Sequence, residues 1–153
     1  MLDGYNVMKF VHVYAAIIWL GSGAGFAILA SRIRSDGTPD EMVAMVYRLE
    51  WFGKYVYPPL SIIVLVMGIG LTAGTWGFQP IWIGIGFAGI ISSIAIGAGY
   101  LTRKLTRIKA LIAEQGAGTA EVARHIDQLL LASRIDLVIL TLVVADMVFK
   151  PGS

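Results

Sequence analysis

The chain has 153 residues, of which 57% are hydrophobic and 14% charged, with a net charge of +2 and no cysteine. A soluble globular domain carries about 25% charged residues, so this balance points to lipid as the solvent. The missing cysteines exclude disulfides, thiolate catalysis and cysteine metal sites, and a small net charge without a basic-aromatic stripe gives no reason to expect nucleic acid.

The length fits one domain, 1–153. Its first apolar stretch runs from Phe10 to Ala30. No basic cluster precedes it and no A-x-A site follows, so it reads as a permanent first span over about 7–31 rather than a cleaved signal. Ser35-Asp36-Gly37 is a turn, and Thr38-Pro39-Asp40-Glu41 has the form of a capping box that opens a new helix. That helix carries Met42, Met45, Val46 and Leu49 at helical spacing, which predicts a short amphipathic helix lying on the membrane surface.

Between Lys54 and Arg103 there are 48 consecutive uncharged residues. A spanning helix needs about 20, so the run is a hairpin of two spans, about 57–74 and 80–101, around a turn at Gly74–Pro80. Pro58-Pro59 opens the first of them, where a missing N–H costs little. The third span continues as a polar helix through Arg103, Lys104, Arg107 and Lys109 until Gln115-Gly-Ala-Gly118 breaks it. A second amphipathic stretch, Glu121–Leu131, leads into the fourth span, about 129–149, which contains Arg134, Asp136 and Asp146.

Ten of the twelve basic residues fall in or beside the first and third loops, leaving only Lys9 and Lys150 on the other side. The positive-inside rule then puts both charged loops in the cytoplasm and both termini outside. The expected class is an all-α integral membrane bundle of four transmembrane helices with short cytoplasmic amphipathic helices. Gly21 and Gly25, Gly70 and Gly74, and Gly89, Ser93 and Gly97 recur at small-xxx-small spacing. Such faces serve close packing within one bundle, a homodimer seam, or room for a flat cofactor.

His12 is the only histidine within a span, near the outer end of the first helix, with Ala16, Trp19 and Gly23 following on its face. An imidazole there can ligate a metal, bind haem iron or relay protons; the plainer role is a hydrogen bond to a neighbouring helix. Asp146 lies at a similar depth on the fourth helix and can orient His12 as a carboxylate acceptor or pair with Lys9 or Lys150. Asp136 lies nearer the cytoplasmic boundary, where Arg103, Arg34 and Lys54 are candidate ion-pair partners. His125 belongs to the cytoplasmic side, so two histidines of one chain cannot share an iron; bis-histidine ligation would need two His12 residues across a dimer axis. Met42 and Met45 are soft enough for copper, but their spacing suits an apolar helix face. Phosphate-loop, H-E-x-x-H and G-x-S-x-G motifs are absent.

The first span, Lys9-Phe-Val-His12-Val-Tyr-Ala-Ala-Ile-Ile-Trp19-Leu-Gly-Ser-Gly23, resembles the opening helix of the copper-resistance-D-like membrane proteins, a group that includes the HemJ-type protoporphyrinogen oxidases and small four-helix bacterial families. The ending Met147-Val-Phe-Lys150-Pro151 is similar to theirs as well. The resemblance implies a multi-pass bundle in the bacterial inner membrane. It also implies that His12 binds haem b, as the matching histidine does in the HemJ branch. The intramembrane lysine of those oxidases has no counterpart here.

The resulting expectation is a haem or porphyrin site with His12 as the iron ligand and Trp19, Gly23 and Asp146 around it. Such a site would serve membrane redox chemistry or haem handling, with a homodimer and a membrane redox partner as associates. The alternatives are a non-enzymatic membrane subunit or assembly partner, and metal-ion (copper) transport along Asp146, Asp136 and His12.

Overall fold

The structure is a computed structural model and describes residues 3–152, so Met1, Leu2 and Ser153 of the expected 1–153 domain lie outside the described residues. Helix α1 (Gly4–Asp36) is capped by the Asp3 carboxylate, which accepts from the Tyr5 N–H. Helix α2 (Pro39–Tyr55) is followed by α3 (Tyr57–Leu71), which ends in a π turn over Thr72–Trp76. Helix α4 (Ile81–Ile94) passes through a π segment, Ala95–Leu101, into α5 (Thr102–Gln115). Helix α6 (Ala120–Phe149) completes the chain and is capped by the Thr119 hydroxyl.

Four continuous runs, Gly4–Asp36, Pro39–Trp76, Ile81–Gln115 and Ala120–Phe149, are each long and apolar enough to cross a membrane. They form an all-α bundle in which α1 packs on α3 and α6, and α4 packs on α6. The backbones of α3 and α4 stand largely apart although only a short loop joins them. Each run is 30 to 38 residues long, so at about 1.5 Å per residue it exceeds the roughly 30 Å of a hydrocarbon layer. The surplus projects at the charged end, opposite the termini.

That surplus has its own core. Met42, Met45 and Val46 of α2 are buried with Leu105, Ile108 and Leu111 of α5 and Val122, Ile126, Leu129 and Leu130 of α6. Ile108, Leu111 and Val122 are fully enclosed, and each such side chain contributes about 1.5–3 kcal/mol of burial. The amphipathic face of α2 is therefore spent on protein rather than laid on a surface, which corrects the expectation for that helix. Periodicity identifies an apolar stripe but not what covers it. Lys109 Nζ reaches Glu50 Oε2 at 2.6 Å, tying α5 to α2.

Pro58 and Pro59 have no N–H to give the preceding turn, so the hydrogen-bond ladder lapses at Val56, which separates α2 from α3 within the one run. The turn expected to begin at Gly74 begins later. The helix widens into the π turn, whose last bond runs from the Gly77 N–H to the Thr72 carbonyl at 2.8 Å, and Gly77 supplies the positive φ of 69° that ends it.

The capping box forms as its residues predict. The Thr38 N–H donates to Glu41 Oε2 at 2.7 Å, and the Glu41 N–H donates to Thr38 Oγ1 at 3.3 Å. The backbone N–H of Thr38, and then its hydroxyl, hold the Glu41 carboxyl below its ordinary value. A depressed carboxylate stabilises the fold above its ordinary range and loses that contribution as pH falls through the folded value. Glu41→Ala should therefore lower the melting temperature at neutral pH, and the difference from wild type should close in acid. Thermal unfolding at both conditions checks it; a gap that persists in acid would show the effect to be unrelated to the carboxylate.

Candidate functional site

His12 sits on the face of α1 that meets α3. Its ring N–H, Nδ1, donates to the Val64 carbonyl at 2.9 Å. A carbonyl can only accept, so in the neutral ring the proton is on Nδ1 and Nε2 carries the lone pair. Nε2 has no hydrogen-bond partner among the described residues and is not sealed off. The carbonyl is approachable because Gly68 lies one turn beyond Val64: a Cβ there would stand 3.2 Å from His12 Cε1. The same seam brings Met8 Sδ against Gly70. Glycines at 68 and 70 let α1 and α3 close on each other, which is what small residues do between helices.

The other expected site residues go elsewhere. Trp19 is buried with Ala15, Val64, Ile90 and Leu140. Gly23 lies against Leu137 of α6, whose Cδ2 would be 3.3 Å from an added Cβ. Asp146 is buried against Gly86 of α4, with its Oδ2 lacking a hydrogen bond. No hydrogen bond or ion pair joins Asp146 to His12 among the described residues, and the group orienting the imidazole is the Val64 carbonyl. Both residues occupy the termini half of the bundle, but on different seams.

A second set of polar groups was only partly legible in the sequence. The enclosed side-chain atoms left without a hydrogen bond are Trp82 Nε1, Ser93 Oγ, His125 Nδ1, Asp136 Oδ1 and Asp146 Oδ2. All of them belong to α4 and α6. Asp136 makes no ion pair among the described residues; Arg34, one expected partner, instead grips Asp127 through Nε and a terminal nitrogen at 2.8 and 3.1 Å. The Asp136 carboxyl faces Ser93 of α4 without closing a strict hydrogen bond, and Tyr57 of α3 lies near both Asp136 and Ser22 of α1. Every long run thus contributes one oxygen-bearing side chain to the same level of the bundle. Ser93 counted in the sequence only as a small residue; the missing signal was its register against Asp136, which depends on tertiary packing. The π segment beginning at Ala95 follows it directly, and such irregular turns often accompany functional positions. Between this level and Asp146, Val143 fills the notch at Gly89, so the file of polar atoms is interrupted by an apolar plug.

At the outermost turn, Lys150 Nζ lies 4.2 Å from the Trp76 ring centroid and 5.5 Å from that of Trp82. No group of three or more metal-ligating His, Cys, Asp or Glu side chains occurs among the described residues. His125 lies at the charged end, beside Arg103, Lys104 and Arg107. No protein-family model, curated protein or solved structure matches the chain.

Proposed function

We propose that the chain is a multi-pass protein of the bacterial inner membrane, with its charged end in the cytoplasm and its termini outside, that binds haem b or a related porphyrin through His12. The observation carrying this reading is the Nδ1–H bond to Val64, since a carbonyl that accepts from the far ring nitrogen and fixes the tautomer is the usual companion of a ligating imidazole. A porphyrin supplies four of the iron's ligands itself, so a lone histidine suffices where a bare ion would need more. The bound group would supply one-electron redox chemistry. The chain would hold it at Nε2, keep the ring from turning through Val64, and exclude water with the apolar side chains around Trp19. Because Trp19, Gly23 and Asp146 face other helices, the macrocycle would contact the outward side of His12. There a second copy or a membrane redox partner would complete its cover. Gly21 and Gly25, which meet nothing within 4 Å, leave a smooth face on α1 for a homodimer.

The test is titration of haem into the purified protein. Saturable binding at one haem per chain, lost in His12→Ala with helical content intact, supports the reading. Equal binding by wild type and variant would sink it.

A second reading is favoured by the orphaned atoms on α4 and α6. Intramembrane carboxylates facing a bundle interior mark proton or ion paths, and Asp146 and Asp136 stand on either side of the Gly89–Val143 plug. In that reading the protein moves protons or a metal ion, and no haem is needed.

A further inference from the structure

Two clefts at the charged end are built from similar residues but balance charge differently. The first, between α1 and α6, is lined by Ser31, Arg34, Ser35, Asp127 and Arg134 among others. It holds one carboxylate for two arginines: Arg34 pairs with Asp127, and Arg134 donates to the neutral Ser31 hydroxyl at 3.0 Å. The second, of about 300 Å³, lies where the π segment runs into α5 against α6, and is lined by Gly99, Tyr100, Arg103, Lys104, Arg107 and His125. It has no acidic lining residue. Arg103 makes no hydrogen bond or ion pair among the described residues. Lys104 bonds the neutral Gln128. The nearest carboxylate to Arg107 is Glu121 at 4.0 Å, and Glu121 also accepts from Gln115.

The histidine in this cleft is unsatisfied too. His125 Nδ1 is enclosed without a partner. Its pKa is pushed down first by burial, then by Lys104 and Arg124; Glu121 opposes them, and Arg107 adds the smallest push down. Three cations and an idle ring nitrogen around one cavity cost energy through mutual repulsion, and an anion between them removes that cost. Arginine forks, an ammonium and an imidazole N–H together match the several oxygens of a phosphate better than a single carboxylate. A bias of Lys and Arg toward one membrane face explains basic loops. It does not explain why one cleft is lined by a carboxylate and its neighbour is not.

We propose that the Arg103–Lys104–Arg107–His125 cleft binds the phosphate of an anionic phospholipid headgroup from the inner leaflet. The proposal rests on the membrane orientation given above. Tyr100 stands at the boundary between the apolar helix and its basic continuation, where aromatic side chains mark the headgroup level, and basic pockets between helices at that level take phosphate headgroups. The acyl chains would run along α4 and α6 toward the bilayer centre.

The experiment places the full chain in phosphatidylcholine nanodiscs with and without a minority of phosphatidylglycerol, and reads retained lipid by native mass spectrometry and His125 by ¹⁵N NMR. Phosphatidylglycerol should stay bound at one molecule per chain and raise the His125 pKa. Both effects should be lost in the double variant Arg103→Gln/Arg107→Gln and kept in Arg34→Gln, which alters the cleft that holds Asp127. The second comparison separates a built site from a general surface potential. Inorganic phosphate is added to the phosphatidylcholine discs as the other source. If it alone reproduces the His125 shift in those discs, and prevents phosphatidylglycerol retention when added to the mixed discs, the site belongs to a soluble phosphate and the lipid assignment is overturned. Insertion without retained phosphatidylglycerol, or retention unchanged in the double variant, also overturns it. A chain that never enters the discs would instead fail the membrane reading itself.

Discussion

Gly68→Val should abolish haem binding while leaving most of the bundle standing. A Cβ at this position meets His12 Cε1 at 3.2 Å, closer than ordinary van der Waals contact, and a branched side chain adds two more carbons in the same space. The imidazole must then leave the Val64 carbonyl, and its Nε2 loses its fixed direction. Losing one interhelical hydrogen bond in a membrane costs about 0.6–2 kcal/mol, which a bundle with two separate buried clusters can bear. Gly68→Ala should give an intermediate result, because His12 has only tenths of an ångström to yield. The measurement is haem affinity alongside thermal unfolding. A valine variant that binds as wild type does would mean that the α1–α3 seam does not set the ligand.

Gly89→Leu should be the more damaging change to the fold. A Cβ at Gly89 runs into Val143 Cγ2 on α6. Valine is branched at Cβ and stiff in a helix, so it cannot swing aside, and α4 must separate from α6. Overpacking typically costs about 1–3 kcal/mol, and here it also exposes the orphaned groups at Ser93, Asp136 and Asp146 to a loosened seam. Gly86→Ala is the control. Its Cβ meets the tip of Met147, a flexible side chain that can move away, so its cost should be smaller. Gly25→Leu should cost the monomer almost nothing, because nothing stands within 4 Å. Melting temperatures in detergent should fall in the order Gly25→Leu, Gly86→Ala, Gly89→Leu, from mildest to most severe. A Gly89→Leu protein as stable as wild type would contradict the close approach of α4 and α6.

The helices were legible because their signals are local. The 48-residue uncharged run between Lys54 and Arg103 admits a hairpin of two apolar helices, and the Thr38–Glu41 box marks a start within one turn. The partner of each face was not legible. Met42, Met45 and Val46 show a stripe, but only the placement of α5 and α6 turns that stripe into a core. The same holds at the site. His12 stood out as the lone histidine in an apolar stretch, while its acceptor is a backbone carbonyl, and every residue has one. Gly68 was the available clue, a glycine exposing a carbonyl one turn earlier, and it was hidden among 18 glycines. Asp146 stood out as a carboxylate inside an apolar span, but its side of the helix is set by the contact with Gly86, so it turns to α4 rather than to His12.

The central claim is that His12 Nε2 is a ligand. The most direct measurement is the visible absorption spectrum of the protein purified in mild detergent after expression with haem supplied, before and after dithionite. The account predicts a Soret band that shifts on reduction and is missing from His12→Ala. A wild-type protein that is folded and helical yet shows no Soret band would contradict it, and would leave the polar file on α4 and α6 as the place to look for function.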